Sequence, residues 1–549
     1  MKSYDIKKES CINLKNVIFD SLMENKSLFI SIFILTSAYW LENVIFPKKF
    51  SKFTSDIPKF IENINFRNVF LLIFPYIIAE ILFYINNIIV SHSLPDFELT
   101  YIKKITEQAI ESIKTSKTSI NVNEFVMNLK KLFETRSTYQ LFVSYILPTI
   151  LVGLGLIYYF FKADIKIGFA SIIVMLIFLY ITYNYESKTI ITSYENENAI
   201  NDFYEEIQDV MTNVDTIIIS NEQQQEINNI NMKKDIVYKT YKNTEIEASE
   251  TTFKLHIINI IVLILFCGTA VKLYIDKKID SSLLIAICII ALLFMQFYDS
   301  TVVKLKNSIN NLGKYTDVEE YLKTFTLMAE QHNKKISINK GRIVFENINI
   351  RYNNKIVLKN FNYNIPPNSK VGLIGPIGSG KTSLLKALAG LTNYSGNIYI
   401  DGSNINNYDY DSFIKYVSYI PQHPKMFNKT IYYNLNYGSN YTQQEIMKFL
   451  KSINFHKFIL KFQDGLNTNV GKEGSKLSGG QKQIIALLRA LLQNKQIILL
   501  DEPTSSLDGS IKKLVINLLK NIKDKTLLII SHDDALKKLF DFEIDFSTK

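Results

Sequence analysis

Six stretches of mostly apolar residues fall in the first ~300 positions, each close to the roughly 20 residues a helix needs to cross a hydrocarbon core. Their approximate bounds are 28–46, 69–90, 141–161, 167–185, 255–275 and 281–303. Six such runs in one half of a chain predict membrane spans rather than core helices of a soluble domain. The pattern changes after about residue 340. There, short alternating runs such as Val344, Phe345, Ile348 and Ile350 predict strands, and the uninterrupted apolar runs Ile497–Leu500 and Thr526–Ile530 also predict strands, the first of them buried.

The connections are uneven. Lys162–Lys166 and Asp276–Asp280 leave room only for tight turns, whereas about 91–140 and 186–254 are long and polar with recurrent apolar positions. Those two segments predict helices that extend well beyond the bilayer on one side. An even number of spans then puts both termini on that side. That face is expected to be cytosolic, in an integral multi-pass membrane protein; lysine counts give only mild support, because 47–67 on the opposite face is also basic. Acidic positions spread through the first residues, with no arginine before Arg67, argue against an export signal or transit peptide. Polar residues inside spans are costly and tend to face a cavity or a neighbouring helix. Glu80, Asn86 and Gln296 are therefore the candidates for a substrate path; Asn87 is also polar within its span, and Glu42, His256 and Asp299 lie nearer the span ends.

Composition refines this only slightly. A net charge of +10 comes from dispersed lysine, and without a localised basic patch it gives no reason to expect nucleic acid as a partner. Cys11, Cys267 and Cys288 have neither metal-ligand spacing nor a disulfide framework.

The chemistry is concentrated in the second half. Residues 371–388 read as strand, glycine-rich turn and helix, with Gly375, Gly380, Lys381 and Thr382 in G-x-x-x-x-G-K-[ST] spacing. Successive N–H groups at a helix N-terminus cradle anions. Gly375, Pro376, Ile377, Gly378, Ser379, Gly380, Lys381, Thr382 and Ser383 are thus candidate ATP contacts. Lys381 is expected at the β- and γ-phosphates and the Thr382 hydroxyl at Mg²⁺. The run IILLDE at 497–502 ends a buried strand in two acids. Asp501 is placed to hold the metal and Glu502 to polarise an attacking water. Leu477, Ser478, Gly479, Gly480 and Gln481 spell LSGGQ at the start of an apolar-periodic helix, a second potential anion site.

LSGGQ between that phosphate loop and IILLDEP strongly resembles the ATP-binding cassette of ABC transporters. The resemblance implies that LSGGQ of one subunit covers ATP held by the other's phosphate loop. It also implies that Tyr352 stacks on adenine, that Gln422 reaches Mg²⁺ and the attacking water, that Asp508 couples the two sites, and that His532 contacts the γ-phosphate. Lys381, Gln422, Glu502 and His532 are then the catalytic set, and Thr382, Gln422 and Asp501 the metal set. Residues 468–474, TNVGKEG, resemble the exporter segment TxVGERG with its Glu-Arg pair replaced by Lys-Glu. Only 17 residues follow His532, where exporters usually carry further strands and a helix, and the alternation in 540–546 offers one strand; weaker dimer contact without ATP is the expectation.

The expected fold is a membrane all-α six-helix exporter-type domain (about 1–325), a linker (326–340) and an α/β P-loop NTPase, the ABC ATPase domain with a helical subdomain (341–549). The expected activity is ATP-driven export by a dimer, with a homodimer favoured and a heterodimer open. The alternative is an ATP-gated channel or regulator. ATP and Mg²⁺ are the implied cofactors, and the lipid bilayer and an unidentified substrate the implied partners.

Overall fold

In a computed structural model of the protein, the described residues are 26–55, 66–117, 120–141, 144, 146–293, 295, 318, 321, 334–352 and 355–547. Gln296, Asp299, 304–317 and most of the expected linker lie outside them. The chain divides into two units, Met1–Ala109 with Ile120–Thr326, and Ile110–Ser119 with Leu327–Lys549.

The first unit is helical. α1 (Lys26–Trp40) continues through a π turn at Leu41–Ile45 into α2 (Phe46–Ser55). Pro47 accounts for the irregularity, because it supplies no N–H and its ring crowds the carbonyl four residues back. Helix therefore persists past the expected end of the first span. α3 (Phe66–Ser116), α4 (Val122–Leu141), α5 (Leu147–Ala163), α6 (Ile165–Thr212), α7 (Val214–Ser220) and α8 (Gln223–Ile275) follow, and α9 is Ser281–Leu293. Among the described residues, Phe29–Ser55, Phe66–Thr115 and Gln223–Ile275 are long and apolar enough to cross a membrane. Leu147–Ala163, Ile165–Ile177 and Ser281–Leu293 are shorter apolar helices at the other three expected spans.

Val152, Leu156 and Phe160 of α5 pack with Ile167 and Val174 of α6, Leu255, Val262 and Phe266 of α8, and Ile287 of α9. Phe160 meets Phe266 edge-on at 5.2 Å between ring centroids. Gly155 faces the Trp40 ring so closely that a Cβ there would overlap it, which is how α1 and α5 approach. Phe70, Phe74, Ile77 and Ile81 of α3, and Ile257, Ile261, Ile264 and Leu265 of α8, remain exposed, an apolar exterior suited to lipid. The long polar segments are helical, and Lys131 joins Glu197 at 3.2 Å in a buried pair between α4 and α6.

The second unit holds two sheets. β1 (Ile343–Tyr352), β2 (Lys355–Ile365), β4 (Ser395–Ile400) and β5 (Ser403–Asn404) form an antiparallel sheet in the order β2-β1-β4-β5. β3 (Lys370–Ile374), β6 (Val417–Ile420), β7 (Ile497–Asp501), β8 (Thr526–Ile530) and β9 (Phe542–Asp545) form a parallel sheet in the order β6-β7-β8-β3-β9. Every residue of β7 and β8 is buried, as a parallel sheet covered on both faces requires. The helices are α10 (Lys381–Leu388), α11 (Tyr410–Ile414), α12 (Ile431–Asn436), α13 (Gln443–Ser452), α14 (His456–Ile459), α15 (Gly479–Leu492), α16 (Gly509–Asn521) and α17 (Asp534–Lys537).

One feature of this unit goes beyond the sequence expectations, and a second bears one out and extends it. Residues 110–119, which include the end of α3, belong to it, and there Lys114 donates to Asp411 Oδ2 at 2.8 Å. The alternation at 540–546 does yield a strand: β9 pairs with β3, and Phe546 beyond it is buried, stacked on Phe361 at 5.5 Å. Phe546→Ala should destabilise this unit by about 3–5 kcal/mol, the usual cost of deleting a buried phenylalanine. Urea unfolding of the two proteins followed by circular dichroism measures it.

Candidate nucleotide site

Strand order gathers the predicted residues. β6, β7, β8 and β3 are neighbours, and Ile420↔Leu500, Asp501↔Ile530 and Leu373↔Ile530 are in register. The chain leaving these four carboxyl ends therefore carries Gln422, Asp501–Glu502, His532 and the phosphate loop along one edge. The crevice outside the carboxyl ends of an open parallel sheet is where such folds bind ligands.

The phosphate loop leaves β3 through Gly375 (φ +134) and enters α10 from Gly380 (φ +96), with Gly378 at φ +82 between them. L side chains rarely adopt these conformations. At Gly375 a Cβ would stand 2.9 Å from Cβ of Phe546, so the loop needs glycine both for its dihedrals and for space. Pro376 and Ile377 form the tip, where Ile377 is 95% exposed; Ser379 turns back to the Pro376 carbonyl, and Ser383 is buried in the first turn of α10. Lys381 is 7% exposed and donates to the Gly375 and Pro376 carbonyls at 2.8 and 2.7 Å. Burial lowers its pKa, against the raising effect of Glu502 and Asp501.

Asp501 is buried at the end of β7. Burial raises its pKa; Thr382 hydrogen-bonds to it and opposes that rise, Glu502 adds to it, and Tyr419 and Lys386 oppose it. The Tyr419 hydroxyl lies 3.4 Å from Asp501 Oδ2. Gln422 Nε2 donates to Glu502 Oε2 at 2.8 Å, so the expected water-polarising acid and the glutamine from β6 are already paired. Glu502 sits at φ +48, strained for a non-glycine residue. His532 is exposed just beyond β8. Tyr352 ends β1 at 43% exposure, with its hydroxyl 3.3 Å from the Thr392 hydroxyl.

The second expected anion site lies at the start of α15. The Ser478 hydroxyl accepts from the Gln481 N–H at 3.2 Å, and Gln481 Oε1 accepts from the Ser478 N–H at 2.8 Å, a capping box. Leu477 before it is buried. A Cβ on Gly480 would come within 2.5 Å of the Ser506 carbonyl, and Gly479 also faces Ser506, so glycine lets the 505–508 loop lie against the helix start. Asp508 caps α16, accepting from Ile511 N–H at 3.0 Å.

Sequence reasoning missed two polar groups here. Tyr419 gave no sign beyond a tyrosine near a strand end. Gln483 comes just before the apolar run of α15, where little but helical position set it apart from the polar residues ahead of it; it is 3% exposed and engaged with 422, 502, 505 and 506. In the first unit, Glu80 is exposed, and Asn86 is buried with its Oδ1 accepting from the Ser31 hydroxyl. The donor set fits a magnesium nucleotide. A buried lysine lacks a full counter-anion, and a buried aspartate beside a threonine hydroxyl and a glutamine is a hard-oxygen set.

Residues 358–505 match the ABC transporter family model. The heavy metal tolerance protein of Schizosaccharomyces pombe is 25% identical over 519 residues, 89% of this chain and 60% of that protein. The mitochondrial iron-sulfur clusters transporter ABCB7 of Oryzias latipes is 37% identical over 194 residues, 35% of this chain and 26% of that one. The ABC-type oligopeptide transporter ABCB9 of Homo sapiens is 31% identical over 266 residues, 47% of this chain and 35% of that one. The matches thus span 60% or less of these relatives' lengths. The structure of a bacterial Atm1-family ABC exporter with ATP bound superposes with a TM-score of 0.81 at 17% identity, covering 97% of this chain and 94% of that one. Residues 358–505 thus carry an ABC transporter ATP-binding domain, and the chain as a whole shares the fold of that solved exporter, a helical unit followed by the ATP-binding unit.

Gly375→Ala should weaken ATP binding at least tenfold and cost about 1–3 kcal/mol of stability from backbone strain alone. Equilibrium titration with a fluorescent ATP analogue, alongside urea unfolding, checks both.

Proposed function

We propose that this protein is an ATP-driven exporter working as a homodimer, with residues 1–325 as the membrane part, 326–340 as linker, 341–549 as the ATPase and both termini in the cytosol. The observation that carries the catalytic reading is the 2.8 Å hydrogen bond between Gln422 and Glu502, on the strand edge that also carries Lys381 and Asp501.

In this reading Tyr352 stacks on adenine, and the amides of 375–383 bind the triphosphate. Lys381 leaves its two carbonyl partners for the β- and γ-phosphates. Thr382, Asp501 and Gln422 would hold Mg²⁺, which would supply neutralisation of the phosphate charge. Glu502 accepts a proton from water as its oxygen attacks the γ-phosphorus; the bond to the ADP oxygen breaks and phosphate leaves. His532 hydrogen-bonds the γ-phosphate. Ser478 and the Gly479 and Gly480 amides cover the nucleotide of the second subunit, and Asp508 links the two sites. Closing two cassettes on two ATP molecules switches the membrane cavity outward, and hydrolysis resets it. Glu80, Asn86 and Gln296 remain the proposed substrate path. The relatives are named for heavy metal tolerance, iron-sulfur clusters and oligopeptides, so their names single out no cargo for this chain.

Purified protein in lipid should hydrolyse ATP, and Lys381→Ala, Glu502→Gln and Ser478→Arg should each reduce the rate by about a hundredfold or more, the scale for removing a catalytic proton acceptor or charge stabiliser. Full activity in Ser478→Arg, or in a monomer, would overturn the dimeric site. Glu502→Gln also separates a pump, which stops transporting, from an ATP-gated channel, which stays open.

A further inference from the structure

We infer that Gln483 is a positioning residue that ties the start of α15 to the Gln422–Glu502 pair of its own chain. The inference rests on the hydrolytic reading above and adds to it a link between two places that reading keeps apart. Ser478, at the head of α15, serves the nucleotide of the second subunit. Gln422 and Glu502 serve the nucleotide of this one. Gln483 stands between them, about one turn into the helix that Ser478 caps.

Its side chain is 3% exposed and its hydrogen bonds are divided by direction. Nε2 faces three acceptors, the Gln422 carbonyl at 3.1 Å, the Glu502 carbonyl at 3.3 Å and the Ser505 hydroxyl at 3.0 Å. Oε1 accepts from the Ser506 N–H at 3.2 Å. The two carbonyls belong to the two residues whose side chains bond each other at 2.8 Å. One amide therefore fixes the backbone on both sides of the catalytic hydrogen bond.

Glu502 needs such a tie. At φ +48 it holds a conformation that persists only when surrounding contacts enforce it. Its N–H is bonded to the Ile530 carbonyl at 3.0 Å, and its carbonyl accepts from Gln483. The same amide holds Ser506, whose carbonyl lies against Gly480. A shift at the head of α15 is thereby passed to the backbone of Glu502, and so to its side chain, through uncharged, part-buried hydrogen bonds of 3.0–3.3 Å. Leucine at 483 would break all of them and leave the carbonyls and the Ser506 N–H without this partner. Glutamate would keep the acceptor for Ser506 and lose the donor, setting a carboxylate oxygen against two carbonyls.

The test uses the full-length protein in lipid, with kcat and KM for ATP, affinity for a fluorescent ATP analogue, and thermal unfolding. Gln483→Leu should lower kcat about tenfold or more while KM and analogue affinity change by about twofold or less, because the orientation of Glu502, not nucleotide binding, is lost. Gln483→Glu should do the same at similar side-chain volume, and it carries the comparison if the leucine variant folds poorly. In a double-mutant cycle with Gln422→Ala, the combined loss should be clearly smaller than the product of the single losses, since both act on one carboxylate. A kcat within twofold of wild type in Gln483→Glu, or losses that multiply, would overturn the inference while leaving the ATPase reading intact. A wild-type protein without Glu502-dependent hydrolysis would overturn both.

Discussion

The order β6-β7-β8-β3-β9 is the constraint on which the second unit depends. Parallel strands all present the same end to the same side, so whatever follows each strand in sequence is delivered to a common edge. Here the followers are a glutamine, a pair of acids, a histidine and a glycine-rich loop. They come from segments as far apart as 375 and 532, and main-chain pairing alone puts them side by side. The sheet can do this because its central strands are covered on both faces, which fixes their register through burial.

What stands on that edge is electrostatically incomplete. Burial works against charge on both Lys381 and Asp501, and the protein compensates only in part, with two loop carbonyls for the lysine and hydroxyl groups from Thr382 and Tyr419 for the aspartate. In the proposed function, an anionic phosphate chain and a divalent cation would supply the missing partners. Preorganised but unneutralised groups of this kind bind charge without first having to be ordered. The same economy appears in the backbone, where the positive dihedrals of Gly375, Gly378, Gly380 and Glu502 are held by packing before any ligand arrives.

How much of this could be read from the sequence follows from what local pattern encodes. The phosphate loop, the acid pair and LSGGQ each carry their chemistry in consecutive residues, so spacing alone located them. The buried strands were readable because a two-sided environment demands uninterrupted apolar residues. Long-range contacts left weaker traces. The sequence offered 540–546 as one strand, but not that Phe546 would pack against Gly375 and Phe361, because that contact is set by sheet order. The π turn at Leu41–Ile45 was hidden because Pro47 usually signals the end of a helix, and here the helix absorbs it by one widened turn. The grouping of residues 110–119 with the second unit is accompanied by contacts between positions as far as 297 apart, such as Lys114 with Asp411, which no periodicity announces.

Gln483 shows why an amide suits a connecting role. A charged side chain at a 3% exposed position would need a buried counter-charge, and its strength would vary with whatever ions occupied the neighbouring site. Glutamine instead offers donor and acceptor in one rigid plane, with no net charge to disturb Lys381, Asp501 or Glu502. Its bonds weaken steeply with misalignment rather than with distance alone. A brace of that kind reports orientation. Either a rotation of α15 about its own axis or a shift along it would disturb the Nε2 contacts to the Gln422 and Glu502 carbonyls, while the 505–506 loop stays coupled to the helix start through Ser506 and Gly480. The one amide therefore brings any movement of this helix to the backbone that carries Glu502.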